Sequence, residues 1–150
     1  MTLKNAVNFF ESLVSGTDKK SEIKVYQEFI QIITGLEKRN LSETEINLIE
    51  TELDALDLNS TANSNIKYYK KALRYFQKYL KDTFSLTTKG HYTNMGIGLG
   101  LAFGVLFGIV FLSSLERSLG ISLGISLGMI IGLIIGLQMD AQAKASGNLI

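Results

Sequence analysis

Residues Leu119–Met139 read LGISLGISLGMIIGLIIGLQM, with Gly120, Gly124, Gly128, Gly132 and Gly136 at strict four-residue intervals and no charged side chain. Glycine inside a helix in water costs about 1 kcal/mol relative to alanine, so a water-exposed helix gains nothing from five of them. A bilayer reverses that balance. Its core has no water to bond the backbone, which forces helix, and small residues let two helices approach until backbone meets backbone. Reading this segment as a membrane-spanning helix decides the fold.

The preceding apolar run, Met95–Leu115 (MGIGLGLAFGVLFGIVFLSSL), repeats the spacing with Gly96, Gly100, Gly104 and Gly108. Each run holds 21 uncharged residues, a helix of about 31 Å against a hydrocarbon thickness of about 30 Å. Between them stands only a short polar link around Glu116-Arg117. Two spans joined so tightly form an antiparallel hairpin in which facing residues lie equally far from Glu116. Gly108 then faces Gly124, Gly104 faces Gly128, Gly100 faces Gly132 and Gly96 faces Gly136, an intramolecular glycine seam. The alternative is that one or both stripes face neighbouring subunits. A four-residue step advances about 400° around a helix, so five glycines sweep about 160°, more than one partner covers. Contacts to both the hairpin partner and a second subunit are therefore expected, with the right-handed crossing typical of such spacing.

Ser118, Ser122 and Ser126 form a second stripe, roughly 200° from the glycines by helical periodicity. Two readings stand. The hydroxyls bond back to the preceding turn, or they line half of a pore that narrows to an apolar constriction near Ile130 and Ile134, where dewetting can gate. Neither span contains an ionisable side chain, which argues against a proton relay, a coupled transporter or a charge-selective filter.

Of the 29 charged side chains, 25 lie in residues 1–89, dividing the chain into a helical domain (1–89) and a transmembrane hairpin with a short tail (90–150). Lys78, Lys81 and Lys89 precede the first span and Lys144 follows the second, against Arg117 in the link. The positive-inside rule then places both termini in the cytoplasm. His91 and Tyr92 fall at headgroup level. No basic stretch followed by an apolar core opens the chain, so no cleavable signal is expected.

Residues 2–84 read as four helices. The first, about 2–14, presents Leu3, Val7, Phe10 and Val14 on one face. The second, about 21–38, carries a broad arc of Ile23, Val25, Tyr26, Phe29, Ile30, Ile32, Ile33 and Leu36. The third opens with a capping box, Ser42 to Glu45, and turns Ile46, Ile49, Leu53 and Leu56 inward. The fourth, about 64–84, spaces Ile66, Tyr69, Leu73, Phe76 and Leu80 at alternating three and four. Its cations Lys67, Lys70, Lys71, Arg74, Lys78 and Lys81 gather opposite the apolar side, with Lys89 just beyond. The third helix is acidic throughout (Glu43, Glu45, Glu50, Glu52, Asp54, Asp57). Either the two helices share weak surface ion pairs, each worth about 0–1 kcal/mol, or the basic helix lies toward anionic lipid headgroups, at about 1 kcal/mol per cation. A switch between these states, with the acidic helix competing against lipid, is a further expectation. Residues 1–84 carry 12 basic and 12 acidic side chains, which argues against nucleic-acid binding.

One histidine and no cysteine leave little for triads, zinc sites or disulfides, so no catalytic residue, metal or cofactor is expected, and no enzyme. Phe103 stands where a dinucleotide fingerprint starting in the first span needs its last glycine, and no strand precedes it. Asn40 and Asn59 match the glycosylation pattern but are better read as helix boundaries.

The C-terminal stretch GISLGISLGMIIGLIIGLQMDAQAKASGNLI, with Asp140, Ala143-Lys144 and Gly147, resembles small bacterial glycine-zipper membrane proteins of two spans. The resemblance covers about residues 95–150 and implies close helix packing in the cytoplasmic (inner) membrane. Glycine zippers also occur in channel-lining helices, mechanosensitive channels among them, and in pore-forming toxins, so the resemblance implies an oligomeric pore. The expected protein is all-α, a cytoplasmic bundle of about four short helices followed by a transmembrane hairpin that homo-oligomerises through its glycines. Its expected function is a channel or membrane-permeabilising effector controlled by the helical domain. The alternative is a non-conducting anchor or scaffold whose helical domain recruits a cytoplasmic protein partner.

Overall fold

The computed structural model describes residues 1–59, 65–111 and 117–150. The described residues contain six α-helices and no β-strand: α1 (Leu3–Ser15), α2 (Lys20–Glu37), α3 (Glu43–Ala55), α4 (Ile66–Phe84), α5 (His91–Phe111) and α6 (Arg117–Ala145). Two compact units divide them. The first comprises Met1–Leu86 with Ile150, the second Thr87–Leu149. The Glu116 link and residues 112–115 of the first expected span lie outside the described residues, as does the side chain of Arg117.

In the first unit α1, α3 and α4 each start on a side-chain cap, because the leading backbone N–H groups of a helix have no intrahelical acceptor. Thr2 Oγ1 accepts from Asn5 N (3.2 Å), and Glu50 Oε1, from α3, accepts from Leu3 N (2.9 Å). The capping box of α3 is formed in both directions: Ser42 N donates to Glu45 Oε2 (2.8 Å) and Glu45 N to Ser42 Oγ (3.3 Å). The Ser42 backbone N–H, with the hydroxyl second, holds the Glu45 carboxyl below its ordinary range. Asn65 Oδ1 opens α4 by accepting from Lys67 N (2.9 Å). At its other end Ser85 adopts a left-handed φ of 56°, and Leu86 N bonds back to Leu80 O (3.1 Å).

Four helices share one core. Phe10 stacks on Phe29 with ring centres 4.2 Å apart, Phe29 stacks on Phe76 at 6.4 Å, and Tyr26 meets Tyr69 edge-on at 5.4 Å. Ile33, Leu36, Ile49, Leu53 and Leu80 fill the remainder. The apolar stripe of α4 is buried from Tyr69 to Leu80, and Ala72 joins it. Each large side chain removed from water contributes roughly 1.5–3 kcal/mol, which is where the stability of this unit resides.

The second unit inverts that pattern. Both of its helices are long and apolar enough to cross a membrane, yet their large side chains point outward: Phe103, Val110 and Phe111 of α5 and Ile131, Leu137 and Leu119 of α6 are more than half exposed. What α5 and α6 bury is glycine, including Gly104, Gly108, Gly120, Gly124, Gly132 and Gly136. Both helices exceed the apolar runs. The α5 helix begins four residues before Met95, and α6 runs six residues past Met139, because polar side chains end a hydropathy run without ending a helix.

Candidate functional site

All nine glycines of the two stripes lie along the contact between α5 and α6. A Cβ built on Gly100 would stand 2.1 Å from the Gly128 carbonyl oxygen and 3.1 Å from the Gly132 Cα. On Gly104 it would meet Gly124 O at 2.3 Å and Gly128 Cα at 3.2 Å, and on Gly96 it would meet Gly132 O at 2.2 Å and Gly136 Cα at 3.2 Å. Each of these α5 glycines thus nests between two glycines of α6. At one end Gly108 meets Gly120 O at 2.6 Å, and at the other Gly136 meets Tyr92 O and Thr93 Cα at 2.6 Å. No Cβ survives at such distances, since the clashing atoms are backbone and cannot rotate away. Gly98, off the stripe, has nothing within 4 Å.

The sweep of five α6 glycines was expected to exceed what one partner helix covers, yet Gly120, Gly124, Gly128, Gly132 and Gly136 all lie against α5. A stripe advancing about 400° per step drifts away from a straight partner, yet the glycines stay in contact from Gly120 to Gly136. A groove of about 610 Å³ runs beside the contact, floored by glycine and walled by Leu99, Phe103 and Phe107 against Leu127, Ile131 and Ile135.

The serine stripe lies on the outside of the pair. Ser118, Ser122 and Ser126 are exposed. Ser122 Oγ donates to Ser118 O and Ser126 Oγ to Ser122 O, each at 2.9 Å. These hydroxyls therefore satisfy themselves one turn back, the first of the two readings that their spacing allowed.

Sequence reasoning gave Asp140 no role beyond a point of resemblance, yet it makes the densest polar contact in this unit. Its carboxylate sits over the first turn of α5. Oδ1 accepts from Tyr92 N (3.1 Å), and Oδ2 accepts from Thr93 N (3.1 Å) and from Thr93 Oγ1 (2.6 Å). These are N–H groups that a helix start leaves without partners, and a carboxylate there also meets the positive end of the helix dipole. The signal was available: Asp140 is the next position on the stripe after Gly136, and it and Tyr92 lie equally far from Glu116. A second tie lies at the same end. Past α6, Gly147 takes a φ of 72° and Asn148 N bonds to Ala143 O (2.8 Å), turning the chain so that Asn148 O accepts from Thr87 N (2.8 Å).

In the first unit, Lys67, Lys70, Lys71, Arg74 and Lys78 are exposed along α4, and Lys81 is half-buried. None of those five cations forms an ion pair with a described residue. Four of the acids of α3 are engaged elsewhere. Asp54 pairs with the Met1 ammonium, Glu50 caps α1 and Glu45 closes its capping box. Glu52 faces the Tyr75 hydroxyl and raises that phenol above its usual range. Weak ion pairing between the acidic helix and these five cations is thus corrected. Lys89 and Lys144 are exposed near the ends of α5 and α6. Among the described residues no group of histidine, aspartate and glutamate is placed to hold a metal ion.

Compared with protein-family models, curated proteins and solved structures, the chain has no match.

Proposed function

We propose that the chain is a two-span membrane protein whose glycine zipper closes within one molecule and holds the helical domain of residues 1–89 at the cytoplasmic face of the inner membrane. One observation carries this reading. The hairpin turns backbone inward and Phe103, Val110, Phe111, Ile131 and Leu137 outward, an arrangement that water penalises by roughly 25 cal/mol per Å² of apolar surface and that acyl chains accept. With the glycines of both stripes directed at the hairpin's own partner helix, the hairpin serves as an anchor. The helical domain then supplies the activity, by recruiting a cytoplasmic protein partner. Lys67, Lys70, Lys71, Arg74 and Lys78, free of ion pairs with the described residues, contact anionic lipid headgroups, each adding about 1 kcal/mol near the surface.

A second reading, a homo-oligomeric channel or permeabilising effector, is favoured by one feature: Ser118, Ser122 and Ser126 stand in file on the outer face of α6, where a ring of hairpins would turn them to a common axis. The test is reconstitution of the full chain in nanodiscs and liposomes. A monomer or dimer by mass with no ion flux supports the anchor. A ring of several copies that conducts supports the channel and overturns the anchor.

A further inference from the structure

The glycine contact has a property that follows from its own regularity. Glycine recurs every four residues on both helices, so sliding α6 along α5 by one repeat exchanges one glycine for the next. In either direction three of the four α5 glycines would still lie between glycines of α6. Backbone packing of this kind makes the two helices adhere but discriminates weakly between registers, as any repetitive pairing does. Something that does not repeat must choose one.

We infer that Asp140 is that element, a register lock that holds α5 and α6 in a single alignment. The three hydrogen bonds to Tyr92 N, Thr93 N and Thr93 Oγ1 exist only where α5 begins. One repeat further into α5 every backbone N–H already serves the helix, starting with Asn94 N on Gly90 O, so a displaced carboxylate finds no donors there. A slip that moved Asp140 that way would also drive its Cβ into the space beside Gly96, where a Cβ on the facing glycine already clashes with backbone. A slip the other way withdraws the carboxylate beyond the helix start and leaves the Tyr92 and Thr93 amides without it. The Thr87 N to Asn148 O bond at the same end opposes both movements and is likewise unrepeated. Hence the seam supplies adhesion and the polar end supplies alignment. Releasing the lock frees a one-repeat slide, a two-position movement of the kind that ratcheting helices use.

The experiment measures alignment directly. The chain has no cysteine, so labels placed at Leu106→Cys and Leu137→Cys, both exposed, report one distance by pulsed electron paramagnetic resonance. A one-repeat slide shifts the labels by about 6 Å along the axis. The unmodified hairpin should give a single distance. Asp140→Ala should add a second population displaced by up to about 6 Å, and Thr93→Val, which removes one of the three donors, a smaller one. A single unshifted distance in both variants overturns the lock. If Asp140→Ala gives no discrete distance, Asp140→Asn, of equal size and with one acceptor oxygen, should restore the native one, and failure to do so overturns the lock. Run in detergent micelles, which hold an apolar hairpin whatever its native surroundings, the measurement bears on the lock alone. Insertion into nanodiscs tests the membrane reading separately.

Discussion

Asp140 and Thr93 are 47 residues apart in sequence, yet the Asp140 carboxylate accepts both the Thr93 amide, at 3.1 Å, and its hydroxyl, at 2.6 Å. A side chain near the end of α6 thereby completes the first turn of α5. The first unit repeats the device, with Glu50 of α3 accepting from Leu3 N at the start of α1. In both units the backbone groups that a helix start leaves open are closed by a carboxylate from a different helix, so secondary structure and tertiary packing stabilise each other.

The glycine contact predicts a position-dependent response to a single methyl group. Gly128→Ala and Gly100→Ala each place a Cβ about 2.1 Å from a carbonyl oxygen and should separate the helices, costing at least the 1–3 kcal/mol typical of overpacking. Gly128→Leu should disrupt the hairpin altogether. Gly98→Ala meets nothing within 4 Å and should be neutral or slightly stabilising through helix propensity. Thermal melts followed by circular dichroism in detergent would rank the four. Equal effects at Gly98 and Gly100 would contradict the contact.

Ser122→Ala with Ser126→Ala removes two hydroxyls whose only partners among the described residues are carbonyls of their own helix. Helix pairing should be unchanged to within about 0.5 kcal/mol, as for surface substitutions lacking tertiary contacts. Flux through reconstituted liposomes should also be unchanged if the protein is an anchor. A change in conductance with assembly intact identifies the serines as a pore wall.

Charge on α4 should govern membrane affinity without governing stability. Replacing Lys67, Lys70, Lys71 and Arg74 by glutamine breaks no ion pair among the described residues, so the melting of the first unit should barely move. Flotation of residues 1–89 with anionic vesicles should weaken by about 1 kcal/mol per cation removed, and the difference should fade at high salt. Identical flotation with neutral and anionic vesicles would remove lipid headgroups as partners of this face.

Alkaline pH should loosen the first unit. Burial raises the phenol of Tyr69, with Tyr26 and Tyr68 adding to it, and burial followed by the charge of Glu22 raises Tyr26. Both groups are protonated more tightly when folded than when unfolded. Their stabilisation is complete below the ordinary tyrosine value of about 10 and is lost as pH climbs through the raised folded values. In a phenolate absorbance titration, these two should ionise late and together with loss of the near-ultraviolet dichroism of the core. Early ionisation with the core intact would contradict their burial.

Much of the architecture was legible from local pattern. The stripe Tyr69, Leu73, Phe76 and Leu80 is apolar at helical spacing, and burial of that stripe is what its periodicity requires. Ser42 and Glu45 announce their capping box because both partners lie within one turn. Helix limits were less legible in the second unit. Hydropathy stops at Met95 and Met139, whereas α5 already begins at His91 and α6 continues to Ala145, since a polar side chain does not interrupt the backbone ladder once the opening amides have an acceptor. The alternative uses of Glu50, Glu52 and Asp54 were not legible at all. Composition made them counterparts of the α4 cations, and the fold instead gave them an amide, a phenol and an ammonium.

Sequence alone determined that two apolar helices pair, because the spacing of Gly96–Gly108 and Gly120–Gly136 is a property of the chain that survives any placement. It also determined which faces of α2 and α4 enter a core. The tertiary structure decided that all five α6 glycines meet α5, which depends on how the helices coil. It also decided that the Ser122 and Ser126 hydroxyls turn back on their own helix and that Asp140 reaches across to Thr93. The physical reason is one of range. Periodicity records which residues share a side of one helix, whereas partners far apart in sequence are chosen only when two helices have settled at a common distance, rotation and offset.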